Sequence, residues 1–514
     1  MADGRENPIF IFSLWIPYNF LTIMGTIRET NIPRRLEGTP KRQGKAKAPM
    51  PWRFTGETAR HFHGGAERMD LKPQRVLQGV AGALILFAIV AGAQTPAAPA
   101  PATPSDTTTA PAAAPAAAAA PAAAPVWSVG TIDFSGYLDG YFSYNNNRPQ
   151  NMTNDYYNFD DKDNFNLEAA KLTLNHDPDP IGAHVDLLFG RTNTLFQSSG
   201  LGINYIEQAY ISIKPPKAKG FELDAGQFVT SAGQEVVETM SNWSYSHGLL
   251  FSYAIPYYHF GVRTSMPVSK VWTVGAQVVN GWNNVTAYNG GVTVGLTSSL
   301  VKPKYTWNFN YYTGPENSGL PPQGAGTQSG YRNLFDTTLL LTPNAKFNAY
   351  VNYDYGQNRI PSWPSSYYNG DGYTNFTVKS MDPHWQGIAG SAREQITPNA
   401  AIVFRYEYFY DNQAYATGLD YYSDGELYQS TFKKLSIEEC TATYEYKWVA
   451  GLLVRVEYRI DWSNKNIFDY GNDVNYDLSG TPGYKTSNYS AYGASKDAQN
   501  TATVGLIAFF GPKR

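Results

Sequence analysis

Cysteine is almost absent from this chain: Cys440 is the only one in 514 residues. A single thiol excludes a disulfide framework and a cysteine-rich zinc site, and on its strand-like segment Cys440 reads as a small packing residue. Charge is scarce too, at 16% of residues against about a quarter in soluble domains. A net charge of -3 and a pI near 6.2 leave no basic footprint for nucleic acid. No apolar run is long enough to cross a bilayer as a helix, and a mean hydropathy of -0.38 excludes a polytopic helical membrane protein. Catalytic signatures are missing as well: there is no H-E-x-x-H, no C-x-x-C pair and no G-x-S-x-G. His176, His184, His247, His259 and His384 form no ligand set. The reading is therefore not an enzyme, with no cofactor and no metal. What the chain does have is aromatic rings, 38 Tyr, 26 Phe and 11 Trp, a composition suited to a wet boundary.

The first 125 residues hold no working domain. In residues 69–93, Lys72 and Arg75 precede a 15-residue apolar stretch, and Ala91 and Ala93 frame an A-x-A cleavage site. That pattern predicts a cleavable secretory signal peptide. Residues 1–68 lie ahead of it, basic and aperiodic, so translation is expected to start at Met69, with 1–68 a non-native or disordered extension. Residues 94–125 are almost entirely Ala, Pro and Thr, which suits neither helix nor core and reads as a disordered spacer. Residues 1–93 hold 13 of the 40 basic and 7 of the 43 acidic residues, so the remainder carries 27 against 36, a net of -9.

From residue 126 to 514 the hydrophobic period is two. Leu452, Val454, Val456, Tyr458, Ile460 and Trp462 alternate with Leu453, Arg455, Glu457, Arg459 and Asp461. Ile402, Phe404, Tyr406, Tyr408 and Tyr410 alternate with Arg405 and Glu407. Apolar faces that end in Tyr or Trp suit a membrane interface, and polar faces with opposed charges suit a wet lumen rather than a dry sandwich core. Sixteen such segments recur: 132–144, 164–176, 181–190, 203–214, 220–230, 257–268, 271–281, 291–301, 304–313, 331–342, 346–356, 384–396, 399–410, 434–447, 450–463 and 499–511. Short turns with Pro, Gly or Asn alternate with long connections. The pattern predicts an all-β, transmembrane, antiparallel up-and-down barrel of about 16 strands, with short periplasmic turns and long extracellular loops.

Loose local patterns point further. Leu187-Leu188-Phe189-Gly190, Ala225-Gly226-Gln227-Phe228, Gly233-Gln234-Glu235, His259-Phe260-Gly261-Val262-Arg263 and Asn280-Gly281-Trp282-Asn283 make the chain resemble the OmpL-like porins of bacterial outer membranes, over residues 126–511. The resemblance implies a channel for passive diffusion of small hydrophilic solutes, with the loop at 231–256 as its constriction. On that loop Glu235, Glu238, Trp243 and Tyr245 are the candidate pore residues. The candidate lumen-facing wall is Arg263, Arg405, Glu407, Arg455, Glu457, Arg459 and Asp461. The two loop acids are expected to face the wall bases across about 10 Å of water, near the screening length of about 8 Å at physiological salt, and so to set a transverse field. The acidic run from Asp160 to Asn164 reads as a solvated loop, since its spacing is not that of an EF-hand.

The expected location is the bacterial outer membrane, reached by signal-peptide export. The expected partners are outer-membrane lipid, lipopolysaccharide and small hydrophilic solutes; a homotrimer is usual for such barrels. Two other readings stay open. One is a structural or adhesive barrel with a plugged lumen; the other is a saccharide-specific channel, since Tyr, Trp and Asn crowd the long loops.

Overall fold

The computed structural model describes residues 128–129, 131–196, 203–287, 291–316, 330–360, 363–368, 373–378, 380–419, 422–423, 426–427, 433–471 and 496–511. The expected leader, spacer and upstream extension lie outside these residues. Sixteen long strands run in chain order: β1 (Ile132–Asn145), β2 (Phe165–His176), β3 (Ile181–Phe189), β4 (Ile206–Ile213), β5 (Glu222–Val229), β6 (Tyr258–Pro267), β7 (Trp272–Val279), β8 (Thr293–Lys302), β9 (Tyr305–Pro315), β10 (Tyr331–Leu341), β11 (Phe347–Asn358), β12 (His384–Gln395), β13 (Ala400–Asp411), β14 (Leu435–Val449), β15 (Leu452–Ser463) and β16 (Ala498–Phe510). Each is one of the segments read from the period-two pattern, with ends shifted by at most three residues. Every strand pairs antiparallel with its chain neighbour, and β1 pairs with β16 from Gly136↔Phe510 to Asn145↔Thr501. The sheet thus closes on itself and has no edge, which is what a spanning sheet requires.

The two faces of the wall invert the order of a soluble protein. Leu138, Leu167, Ile211, Val278, Leu296 and Val504 point outward and are exposed. The inward-facing Asp139, Glu168, Asp186, Gln277, Asp336 and Glu457 are buried. Apolar side chains turned outward in a continuous band belong against hydrocarbon, not water. Exposed aromatic rings mark both rims: Trp272, Phe347, Trp448 and Phe510 lie by the short turns, while Phe165, Phe189, Tyr205 and Tyr331 lie by the long loops. Rings at these two levels suit the lipid headgroup layers.

Two details were not visible as alternation. The β1–β2 register slips between Asp139 and Gly140, so Glu168 and Ala169 are both buried on adjacent positions of β2. The 359–383 connection contains its own two-stranded hairpin, Trp363–Tyr368 paired with Tyr373–Val378. The interior also differs from a water-filled tube. Phe159, Tyr245, Leu249, Leu250, Phe251, Ala254 and Ile255 are buried from the long loops and pack with Tyr350, Trp385 and Phe409 of the wall.

Candidate functional site

The connection from β5 to β6 turns into the barrel instead of away from it. Its first bend is at Gly233, with φ +86°, a region that favours glycine; a Cβ there would also meet Ile255 Cδ1 at 2.6 Å. Ser231 is held by the β9 wall, its Oγ 2.7 Å from Tyr312 Oη and its carbonyl accepting from Asn310 Nδ2 at 2.9 Å. The Gln234 N–H then donates to Asn352 Oδ1 of β11 at 3.1 Å. Within the loop, the Asn242 amide bridges both polar groups of the Val236 backbone, at 2.9 and 2.7 Å. Glu235 Oε2 accepts from Gly248 N at 2.7 Å and ties the two arms together.

Opposite this start, the β13 and β15 wall grips the loop by its backbone. Arg405 Nη1 donates to Ser246 O at 2.6 Å, and Arg459 Nη1 to His247 O at 2.6 Å. Arg455 donates to Thr239 O at 2.5 Å, to Ser244 O at 3.2 Å and to Asn242 O. The acids of the same face take the amides. Glu457 accepts from Tyr245 N at 2.7 Å and Ser246 N at 3.1 Å, and Glu407 accepts from Leu250 N at 3.0 Å. All five wall residues are at most 1% exposed. Such buried charges persist only where each is paired and hydrogen-bonded. Here Glu439 serves Arg405 at 2.8 Å, Glu445 serves Arg455 at 2.9 Å, and Asp461 serves Arg459 at 2.7 Å.

The geometry changes the expectation of a field across open water. Glu235 touches Arg405 at 2.6 Å, so no aqueous gap separates them. Glu238 does not meet an arginine: it pairs with Lys171 of β2, which also holds Asp186 at 2.9 Å and Glu207 at 2.7 Å. Arg263 stays away from the loop and binds Asp224 of β5 at 2.8 Å. Arg405, Glu407, Arg455, Glu457, Arg459 and Asp461 do face inward, but they are dry rather than wet. Tyr245 is fully buried, its hydroxyl donating to Asp139 Oδ1 at 2.9 Å. Trp243 is half-buried against Tyr350, with ring centroids 5.2 Å apart. The acidic run is not a solvated loop either: Asp160 and Asp161 are buried. Burial, with Glu457 adding to it, pushes the Asp160 carboxyl up to about 8.

A family model described as "Putative beta-barrel porin-2, OmpL-like" matches residues 131–509, nearly the whole of this barrel. The chain belongs to that family. No curated relative matches the sequence. Among solved structures, the porin is similar to the in-vitro folded OmpT of Vibrio cholerae, at 12% identity over 75% of this chain and 100% of that one, with a TM-score of 0.45. It is similar also to the anion-selective porin from Comamonas acidovorans (8%, covering 74% and 99%, TM-score 0.45) and to the outer membrane channel DcaP of Acinetobacter baumannii (10%, covering 74% and 97%, TM-score 0.42). Family membership makes the protein an outer-membrane porin channel.

Several residues that shape the interior of the porin were not singled out in the sequence. Lys171 is one; its signal is parity, since it shares the inward face of β2 with Thr173 and Asn175. Gly505 of β16 is another: a Cβ there would collide with the Tyr245 ring, so only glycine lets that ring lie against the wall. Phe159, from the β1–β2 connection, sits 4.4 Å from His247, 5.0 Å from Phe251 and 5.1 Å from Tyr257, ring to ring. Asn158 Nδ2 donates to Ser252 O at 3.0 Å beside it. Burial holds the His247 imidazole below its ordinary range against the opposing pull of Glu235, which keeps it uncharged within this aromatic stack. Nothing in a run of Asn and Asp marks Phe159 as a wedge between two loops.

Proposed function

We propose that residues 231–256 are the constriction of this porin and that small hydrophilic solutes diffuse past it. The observation that carries this reading is the backbone grip by Arg405, Glu407, Arg455, Glu457 and Arg459. A barrel of sixteen strands encloses an aqueous channel unless something fills it, so a loop fixed to one wall sets the cross-section. Glu235 and Glu238 act next to their cations rather than across the pore. Replacing both by Gln would take the loop carboxylates away from Arg405 and Lys171 and move selectivity toward anions, most at low salt. Deleting residues 236–248 is expected to raise single-channel conductance in a planar bilayer, and unchanged conductance would sink the constriction role.

One observation favours a second reading. The stack of Phe159 with His247, Phe251 and Tyr257 joins two loops in one apolar core, as a plugged barrel with partner-binding loops would need. An intact porin that conducts nothing favours that reading. The rest of the proposal follows from the barrel and the leader together. Export uses residues 69–93 with cleavage after Ala93, and leaves 94–125 as a periplasmic spacer. The long loops face outward among lipopolysaccharide, and three copies associate, as in the trimer form of Vibrio cholerae OmpT. N-terminal sequencing of the native product, protease accessibility on whole cells and crosslinking test these in turn.

A further inference from the structure

Arg263 differs from every arginine in the loop grip. Its side chain is 27% exposed, where Arg405, Arg455 and Arg459 are at 0%, 2% and 1%. Only Nε is engaged, donating to Asp224 Oδ2 at 2.8 Å. Among the described residues, neither terminal nitrogen has a hydrogen bond. The guanidinium is nevertheless immobilised. Its Cζ lies 4.5 Å from the Phe228 ring centroid and 5.1 Å from that of Tyr210, a contact that favours a planar cation. Tyr210 is braced in turn by His184, stacked at 5.1 Å. Asp224 is fixed from its other side by Ser212 Oγ at 2.6 Å. The nearby acids have their own cations: Asp186 holds Lys171, and Glu222 holds Lys214. The result is a preset plane with a free two-pronged edge, on the lumen face of β6, four residues from its short-turn end.

We infer that Arg263 is an oxyanion-binding subsite of the channel, taking a carboxylate or a phosphate group of a passing solute through its two terminal nitrogens. Planar guanidinium matches such groups bidentately, where an ammonium offers only a point charge. The charge of Asp224 is already engaged sideways, so the outer edge remains the attractive one. Weak, millimolar binding suits a channel, which must release what it holds. The inference rests on the porin reading for its role in transport but not for the binding itself.

The test therefore has two arms on the refolded barrel. In a planar bilayer at fixed ionic strength, sodium phosphate or sodium acetate is added against a sodium chloride control. The expected result is a concentration-dependent fall in chloride current for the anion that binds, at least fivefold weaker in R263Q and in R263K. In detergent, calorimetric titration with the same salts reads binding without conduction, again lost in R263Q and R263K. Phosphate and acetate separate the two possible head groups. Both variants must first keep the heat-modifiable gel shift of the folded barrel. Wild-type calorimetry with no uptake of either anion, or uptake undiminished in R263K, overturns the subsite. Uptake with no current at all preserves the subsite and rejects the porin reading instead.

Discussion

Arg455 on β15 and Arg263 on β6 both point into the barrel, yet they meet opposite surroundings. Arg455 is dry and fully hydrogen-bonded, with three loop carbonyls and Glu445 around its guanidinium. Arg263 is partly wet, held by two rings and one carboxylate. The same contrast extends along the wall. On β13 to β15, Arg405, Glu407, Glu439, Glu445, Arg455, Glu457, Arg459 and Asp461 are at most 5% exposed, beneath the loop at 231–256. On β3 to β6 the inward side chains of His184, Tyr210 and Arg263 remain half-buried. Buried groups line that side too, Asp186, Glu207 and His259 among them, so the contrast is between an arginine inside an interface and one at its margin. What separates them is whether a loop supplies partners, not which amino acids line the strands.

The strongest way to break the comparison is to remove one arginine from each side. Arg455→Met leaves three buried carbonyls without a donor, and loss of one partner from a buried charge network costs about 3–5 kcal/mol. The urea midpoint of the heat-modifiable barrel should fall accordingly. On the outer face, Val456→Arg places a charge in hydrocarbon, at about 2–4 kcal/mol near the midplane, and is expected to lower the yield of folded barrel in refolding assays. Equal tolerance of Val456→Arg would mean that the β15 register is off by one residue. Tyr245→Phe removes one hydrogen bond to Asp139, which keeps Thr239 as a donor; a loss of about 1.5 kcal/mol and a noisier open-channel current are expected. The smallest change belongs to Arg263→Met, within about 1 kcal/mol by the same urea midpoint. A loss as large as that of Arg455→Met would show that the two sides are energetically alike.

The barrel was legible because period-two alternation has one meaning when sixteen copies recur with alternating short and long connections. Leu452 to Trp462 needed no partner to declare its two faces. The inward direction of Arg405, Glu407, Arg455, Glu457 and Arg459 followed from the same parity. Their partners did not follow. A carbonyl of Ser246 or an amide of Leu250 is common to all residue types, so no letter in the loop announces that it will be gripped. Nor does parity report distance around the barrel: Glu238 finds Lys171 on β2 and not an arginine on β13 to β15. The slip at Asp139 and Gly140 was hidden because Glu168 and Ala169 look like an ordinary polar–apolar step. Phe159 was hidden by its acidic neighbours.

The grip on the 231–256 loop has a consequence for how such a channel can be altered. Wall groups that hold carbonyls and amides work like a socket that reads the shape of the plug and ignores its lettering. Val236 and Ser241 of this loop are exposed. Residues at such positions can be exchanged without loosening the fastening, so the lining we propose for the passage becomes a replaceable cartridge while the barrel around it stays the same.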